Sequence, residues 1–599
     1  MIGDLHTVAM VSRTGSIDWL ALPRFDSPAC FAAMLGDADN GFWRLGPAGE
    51  VIDCSRRYQP DTLILETRYE TATGTAVVLD FMPPRRSEAD LVRLVRCEQG
   101  SVDFATVLKI RFDYGRVLPW VRGVAGGIGA VAGPEAVYLR SDIELEGRDH
   151  ETGAEFTVRQ GEQVSFVLSR VQSHHAEPKT ADPDEALADT VTYWRDWIAG
   201  CEYDGRWTEQ VHRSLITLKA LTYRPTGGIV AAATTSLPEQ PGGERNWDYR
   251  YCWLRDSTFT LEALLSCGYT EEASAWRHWL LRAVGGDPDN LQVLYSVTGA
   301  RRIDEQELDW LSGYADSRPV RTGNAAAGQF QLDIFGEVLD TLELARTAGI
   351  TQHPDDPSRS ELDRIDSAWS LQRLLGEAVG RRWREPDDGL WEVRSERRHF
   401  VHSKVMAWVA YDRLISGAEQ HDLPGPVDEW RSERAAIRDQ VLARGLDPTG
   451  RYFVQSYGST DLDAALLLMA RVGFLPWDDE RIINTVRVIR DQLTDEAGFV
   501  RRYNTSTSTD GLAGGEASFL ACSFWMVDAL AGIGEQDEAE RLFGQLLAVA
   551  NDVGLIAEEY DHHTERLWGN LPQAYSHVGL INAARRLEGT GLNRSNSAG

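Results

Sequence analysis

Long apolar runs are missing from this 599-residue chain. No stretch of about 18 apolar residues occurs, which argues against a helical membrane span. The first residues, Met1-Ile2-Gly3-Asp4-Leu5-His6, lack a basic segment followed by an apolar core, so no secretory leader is expected at this end. Cysteine is sparse, with seven residues (Cys30, Cys54, Cys97, Cys201, Cys252, Cys267 and Cys522) at irregular spacing and no C-x-x-C pair. Thiols of odd number and irregular spacing are expected to be reduced and structural, in a cytoplasmic protein. Positive charge is also short: 61 Lys and Arg stand against 91 Asp and Glu, a net charge of −30. Phosphate backbones need basic surface, so a nucleic-acid partner is not expected, whereas a neutral ligand such as a sugar is compatible with the charge. A homo-oligomer is compatible with it too. No G-x-G-x-x-G follows a strand and no P-loop is present, so no nucleotide is implied. The pairs His174-His175 and His562-His563 lack metal-ligand spacing, and no metal or other cofactor is expected.

What the chain does contain changes character along its length. Residues 1–181 read as β structure. Apolar side chains from Val102 to Phe112 recur at about period two, and Leu63–Tyr69 and Ala76–Phe81 are joined through Thr73-Gly74-Thr75, a hairpin signal. Phe156–Val158 and Val164–Leu168 flank Gln160-Gly161-Glu162 in the same manner. Short strands punctuated by glycine turns predict an N-terminal antiparallel β-sandwich. Residues 182–205 switch to helical spacing, with Leu187, Val191, Trp194 and Ile198 on one face and Gly200 as a stop, and predict a helical linker.

From residue 206 to 589 the pattern is helical, with twelve candidate helices beginning near 207, 256, 270, 327, 361, 400, 428, 461, 478, 516, 536 and 573. Links into the even-numbered helices are long and links out of them are short. Long connections without regular structure in a compact domain are usually functional. Twelve helices in six hairpins predict an (α/α)6 toroid, with even helices inside and the long loops on one rim. Residues 590–599 are polar and are expected to be a disordered tail.

Distinctive residues collect at the entries to the even helices. Asn246-Trp247-Asp248-Tyr249-Arg250-Tyr251-Cys252-Trp253-Leu254-Arg255-Asp256 precedes the second, Leu390-Trp391-Glu392 the sixth, Arg502-Tyr503 and Gly514-Gly515-Glu516 the tenth, and Ala557-Glu558-Glu559-Tyr560-Asp561 the twelfth. Aromatic rings can cover sugar faces, Arg and Asp can fix hydroxyls by charge-assisted hydrogen bonds, and paired carboxyls can do acid–base work on a glycosidic bond. Glu392, beside Leu390 and Trp391, is partly desolvated, which favours its protonated form. Glu516 is a rival of Glu558 among the rim carboxyls.

These motifs resemble those of glycoside hydrolase family 15, the glucoamylase family with its bacterial and archaeal trehalase-like members. Gly15-Ser16-Ile17-Asp18-Trp19-Leu20 and Pro23-Arg24-Phe25-Asp26-Ser27-Pro28 are similar to the β-sandwich domain of prokaryotic members, so the likeness spans nearly the whole chain. It implies Glu392 as general acid and Glu558 as general base of an inverting exo-α-glucoside hydrolase. Tyr249 is implied to sit near the nucleophilic water. Trp253, Arg255, Asp256, Trp391, Arg502 and Tyr575 are implied to bind glucose, and Glu516 is read as substrate-binding. An inverting pair leaves about 6.5–9.5 Å between its carboxyls for the water. The sequence departs from fungal glucoamylases where Val393-Arg394 follows the acid in place of a second Glu, and where Tyr575 stands in place of Trp, so the aglycone side is not expected to be of starch type. Trehalose and short α-glucans both fit. A glycoside phosphorylase, a terpene cyclase and a non-catalytic sugar-binding protein are the alternatives. The pair Glu392 and Glu558 argues against the first and third, and the polar rim against the second.

Overall fold

The computed structural model describes residues 1–350, 361–505, 510–512 and 515–589. The expected tail, 590–599, lies outside the described residues. Among the described residues no helix is long and apolar enough to cross a membrane.

The N-terminal part is an antiparallel sheet organised on one 21-residue strand, Ala89–Lys109. Its first half pairs with Gly74–Phe81 and its second half with Phe42–Pro47. The chain bends between the halves at Gly100, which has φ +70°, and a Cβ there would lie 2.2 Å from the carbonyl oxygen of Thr73. Only glycine fits that approach. The hairpin predicted through Thr73 is present, with Leu65–Thr71 paired to Gly74–Phe81. The second predicted hairpin is not. Glu151–Arg159 and Gln163–Gln172 run in the same direction along the other edge of the long strand, one pairing with Ser101–Leu108 and the other with Ala89–Arg96. Gly161, at φ +84°, donates back to Cys97 O at 3.1 Å and Gln160 to Gly100 O at 2.9 Å. The turn residues are thus held to the same neighbouring strand, making a bulge without reversal.

Helix α1, Pro183–Ile198, follows, with the Asp182 carboxylate capping the N–H groups of Asp184 and Glu185 and Ala186, Thr190, Trp194 and Ile198 buried. The remaining helices are α2 (Thr208–Ala220), α3 (Leu254–Ser266), α4 (Thr270–Val284), α5 (Asp333–Thr347), α6 (Glu361–Arg382), α7 (Val401–Gln420), α8 (Val427–Arg444), α9 (Glu480–Leu493), α10 (Leu520–Gly532), α11 (Gln536–Ala548) and α12 (Ala574–Leu587). The helix expected near 461 is instead a 3-10 helix, Ala464–Leu468. Asp463 caps it, and Gly473 in the left-handed region and Pro476 end the apolar run before a longer helix can form.

Contacts run α3–α5–α7–3-10 helix–α10–α12 and back to α3, while α2 and α8 each pack against one member of that circuit and α4, α6, α9 and α11 each against two. Burial follows position: α10 is buried from Leu520 through Leu530, whereas α8 buries only Trp430, Ile437 and Val441. Short strand pairs brace two entries to the inner helices, Cys252–Trp253 with Leu294–Tyr295 and Ser518–Phe519 with Glu559–Tyr560.

Arg250 is one of the side chains that join the sheet to the helices. Arg250 forks onto Asp248 at 2.8 and 2.7 Å, and donates to the carbonyl oxygens of Phe25 and Ser27 and to the Tyr114 hydroxyl. Both charges are fully buried. Breaking one partner of a buried pair costs about 3–5 kcal/mol because the other charge is stranded. Arg250→Ala should therefore destabilise the protein by about that much in chemical denaturation, and the double variant Asp248→Asn/Arg250→Met should recover part of the loss.

Candidate active site

A pocket opens among residues that precede or begin the helices of this circuit. Of the ten residues singled out from the sequence, Tyr249, Trp253, Arg255, Asp256, Trp391, Glu392, Arg502, Glu558 and Tyr575 line it. Glu516 does not; its side chain is fully covered behind Arg502.

The two carboxyls Glu392 and Glu558 are anchored by neighbouring aromatic donors. Tyr249 donates its hydroxyl to Glu558 Oε1 at 2.7 Å, and Trp253 donates its indole N–H to Glu392 Oε1 at 2.6 Å. The two rings meet edge to face, 5.3 Å between centroids. Four residues supplied by the 249–253 segment and by two distant loops are thereby locked into one unit. Glu558 Oε2 is buried beside Gly569, without a hydrogen-bond partner. Glu392 sits at φ +59° in the turn that follows Asp388-Gly389, a conformation L residues seldom adopt. Gln329 holds that turn by donating to the carbonyl oxygens of Glu392 and Val393.

Arg255 and Asp256 form the first turn of α3. Arg255 Nε bonds Asp256 Oδ1 at 2.7 Å, and its Nη1 donates to Leu390 O at 2.7 Å and approaches Glu392 Oε1 at 3.8 Å. The guanidinium also lies over the Tyr575 ring, 5.6 Å from its centroid. Tyr575 has a buried hydroxyl with no partner. Trp391 donates to Asp463 Oδ1 at 2.8 Å, so the residue that caps the 3-10 helix also sets the pose of the pocket's indole wall.

Behind the pocket lies a cluster that the sequence motifs reveal only in part. Glu239, Glu516 and Glu559 place carboxyl oxygens within 4.8 Å of one another, the one group among the described residues with a spacing that could hold a metal ion. Arg502 already occupies it: its Nη2 bonds Glu239 Oε2 at 2.7 Å, makes a short bond to Glu516 Oε2 and stands 3.8 Å from Glu559 Oε1. This guanidinium, with that of Arg245 3.9 Å from Glu516 Oε2, supplies the positive charge of the cluster. Counting Glu558, more carboxyls than guanidinium groups are buried here, and a desolvated surplus of negative charge holds protons. Burial raises Glu558 to about 8, with the Glu239 charge adding to the rise and Arg502 opposing it. Glu559 is raised well above the carboxylate range by burial and by Glu239 and Glu516. Burial also raises Glu392, against the opposing charge of Arg255. Glu239 was not singled out from the sequence; its loop was, by length, but nothing in Leu237-Pro238-Glu239 marks the carboxyl itself. Asp333, fully buried at the start of α5 and raised to about 7 by burial and by Asp387, also gave no signal.

Comparisons with known proteins cover both halves. Residues 205–585 match the model described as glycosyl hydrolases family 15, and residues 1–194 match the one described as trehalase-like, N-terminal. A trehalase of Mycolicibacterium smegmatis is 41% identical over 97% of this chain and 89% of its own, and one of Mycobacterium tuberculosis is 40% identical over 97% and 88%. A trehalase of Thermoplasma volcanium is 32% identical over 99% of this chain and 94% of its own. The fold is shared with a bacterial glucoamylase solved with acarbose, at TM-score 0.72 and 15% identity over 96% of this chain and 91% of that one.

Gly569 lies against the Glu558 side chain at φ +76°, where a Cβ would stand 2.6 Å from both Cβ and Oε2 of the glutamate. Gly569→Ala should lower stability by more than about 1 kcal/mol, because alanine is strained at positive φ, and should displace the carboxyl. Thermal denaturation checks the first effect and a crystal structure of the variant the second.

Proposed function

The chain belongs to glycosyl hydrolases family 15 and is a glycoside hydrolase, and from that premise we propose that it cleaves trehalose, releasing β-D-glucose with inversion at the anomeric carbon. The observation that carries this reading is the pair of anchored carboxyls on one pocket, Glu392 held by Trp253 and Glu558 by Tyr249. Glu392 is the general acid that protonates the departing oxygen. Glu558 is the general base that takes a proton from water on the opposite face of the ring, with Oε2 as the accepting atom. Tyr249, bonded to Oε1, leaves that one oxygen for the water. Arg255 and Asp256 hold distal hydroxyls of the nonreducing glucose, Trp253, Trp391 and Tyr575 enclose its ring, and Arg502 acts on the same pocket with Glu516 behind it.

The helical circuit supports an (α/α)6 toroid for residues 206–589, and the bent strand Ala89–Lys109 supports a β-sandwich for residues 1–181, with 182–205 as the linker. The seven unpaired thiols fit a cytoplasmic setting. A phosphorylase reading is disfavoured: the arginines Arg245, Arg255, Arg394 and Arg502 on the pocket wall already carry the carboxylates of Asp510, Asp256, Glu305 and Glu239.

The purified protein given trehalose, maltose, isomaltose and maltoheptaose should act fastest on trehalose, with β-glucose appearing first by NMR. Early α-glucose would overturn inversion, and faster turnover of maltoheptaose would overturn the substrate. Glu392→Gln and Glu558→Gln should each lose at least about 10²-fold in kcat, the scale of general acid–base catalysis, with unchanged melting behaviour.

The pH profile carries a separate test. Activity requires Glu558 without its proton, and its raised pKa, about 8, places the acidic limb of kcat/KM above the ordinary carboxylate range. Glu239→Gln removes a like charge and frees Arg502 toward Glu558, both of which stabilise the carboxylate. The limb should therefore move to lower pH; a limb that stays in place would assign the whole elevation to burial.

A further inference from the structure

Arg394 lines the pocket two residues beyond Glu392. Its guanidinium is held by a carboxylate and by an aromatic ring. Nη2 bonds Glu305 Oε2 at 2.8 Å and Nη1 bonds Glu305 Oε1 at 3.2 Å, and the group lies over the Trp247 ring, 4.3 Å from its centroid. Both of these partners are themselves fixed. Glu305 Oε2 accepts from the Ala325 N–H at 3.0 Å, and Oε1 lies 3.6 Å from Arg321 Nε. Trp247 donates its indole N–H to Glu239 Oε1 at 3.2 Å, and the Arg321 guanidinium lies 4.6 Å from its ring centroid. The Arg394 side chain still keeps 30% of its surface exposed, and the pair with Glu305 uses only part of its donors. A cation already matched by a carboxylate is poorly suited to an anion. Its remaining N–H groups, fixed in direction, can donate to neutral hydroxyls at little cost in ordering.

The turn that carries Glu392 sets Arg394 apart from the arginine on the other side of the acid. Arg255 donates to Leu390 O at 2.7 Å, ahead of Glu392 in the chain, whereas Arg394 stands after it. Gln329 pins the stretch between them through the carbonyl oxygens of Glu392 and Val393. In the proposed mechanism Arg255 holds the nonreducing glucose. The general acid delivers its proton to the oxygen that joins the two sugars, so the sugar beyond that oxygen lies across Glu392 from Arg255. We infer that Arg394 binds the leaving sugar, donating to hydroxyls of the second glucose of trehalose, with Glu305 and Trp247 as the positioning residues that aim it. The inference rests on the reading of the pocket as a trehalose site and extends it to the half of the substrate that departs. These hydrogen bonds form with trehalose and have no counterpart when the leaving group is a single atom.

α-D-Glucosyl fluoride is the comparison substrate, because it carries the same glucose and departs as fluoride. In the full-length chain Arg394→Met, which keeps an apolar stem and removes the donors, should lower kcat/KM on trehalose at least about tenfold more than on the fluoride, the scale of hydrogen bonds from a charged donor. Glu305→Gln loosens the hold on Arg394 and should move the same ratio in the same direction by a smaller factor; it carries the test if melting curves show that Arg394→Met does not fold. Equal losses on the two substrates, or trehalose turnover that is undiminished, would overturn the assignment of Arg394 and leave trehalose cleavage standing. A wild-type chain that hydrolyses the fluoride and leaves trehalose intact would overturn the trehalose reading and this inference with it.

Discussion

The buried fork between Arg250 and Asp248 is the constraint on which the pocket depends. A guanidinium and a carboxylate out of water are tolerable only when their hydrogen-bonding capacity is met in full. Here the remaining donors of Arg250 are met by the carbonyls of Phe25 and Ser27 and by Tyr114, all from the sheet half of the chain. The pair therefore cannot be satisfied unless the sheet is docked. Its immediate chain neighbour Tyr249, and Trp253 three residues beyond, are the donors that hold Glu558 and Glu392. The sheet half contributes no pocket-lining side chain, yet it fixes the loop from which both carboxyls are positioned.

A second constraint is electrostatic. Glu239, Glu516 and Glu559 gather around Arg502 with their carboxyls covered, and Glu558 stands on the adjoining pocket wall. In water such a grouping would have no consequence, because each carboxyl would ionise independently. In a low dielectric, like charges raise one another's pKa and the guanidinium lowers them, so the proton occupancy becomes a property of the group. Under the proposed mechanism this makes the basicity of Glu558 adjustable by residues that do not touch the sugar. The trehalose reading rests on family membership together with this pocket, and the shared fold with a glucoamylase adds architecture alone.

Much of the fold and of the pocket is legible in the order of residues alone. The switch from period two to helical spacing near residue 182 and the alternation of long and short links are readable there, because periodicity and loop length are local properties; Trp253, Arg255 and Trp391 stand out at helix entries, whereas Tyr575 enters only through the resemblance to family 15. Two expectations fail for a common reason. Gln160-Gly161-Glu162 has turn composition, but whether a turn reverses the chain or bulges from it depends on the strand alongside, here Ala89–Lys109. The run after Asp463 is apolar enough for a helix, but the cap and the following Gly473 and Pro476 leave only a short 3-10 turn.

The sequence by itself determined the elements and the chemical types gathered near the inner helices, since both follow from residue identity and spacing. Only the tertiary structure decided partners. It put Glu516 behind Arg502 instead of on the pocket wall, and brought Glu239 from an unmarked loop to the same guanidinium. Charge and proton affinity depend on distance and burial, and neither is encoded at any one position of the chain.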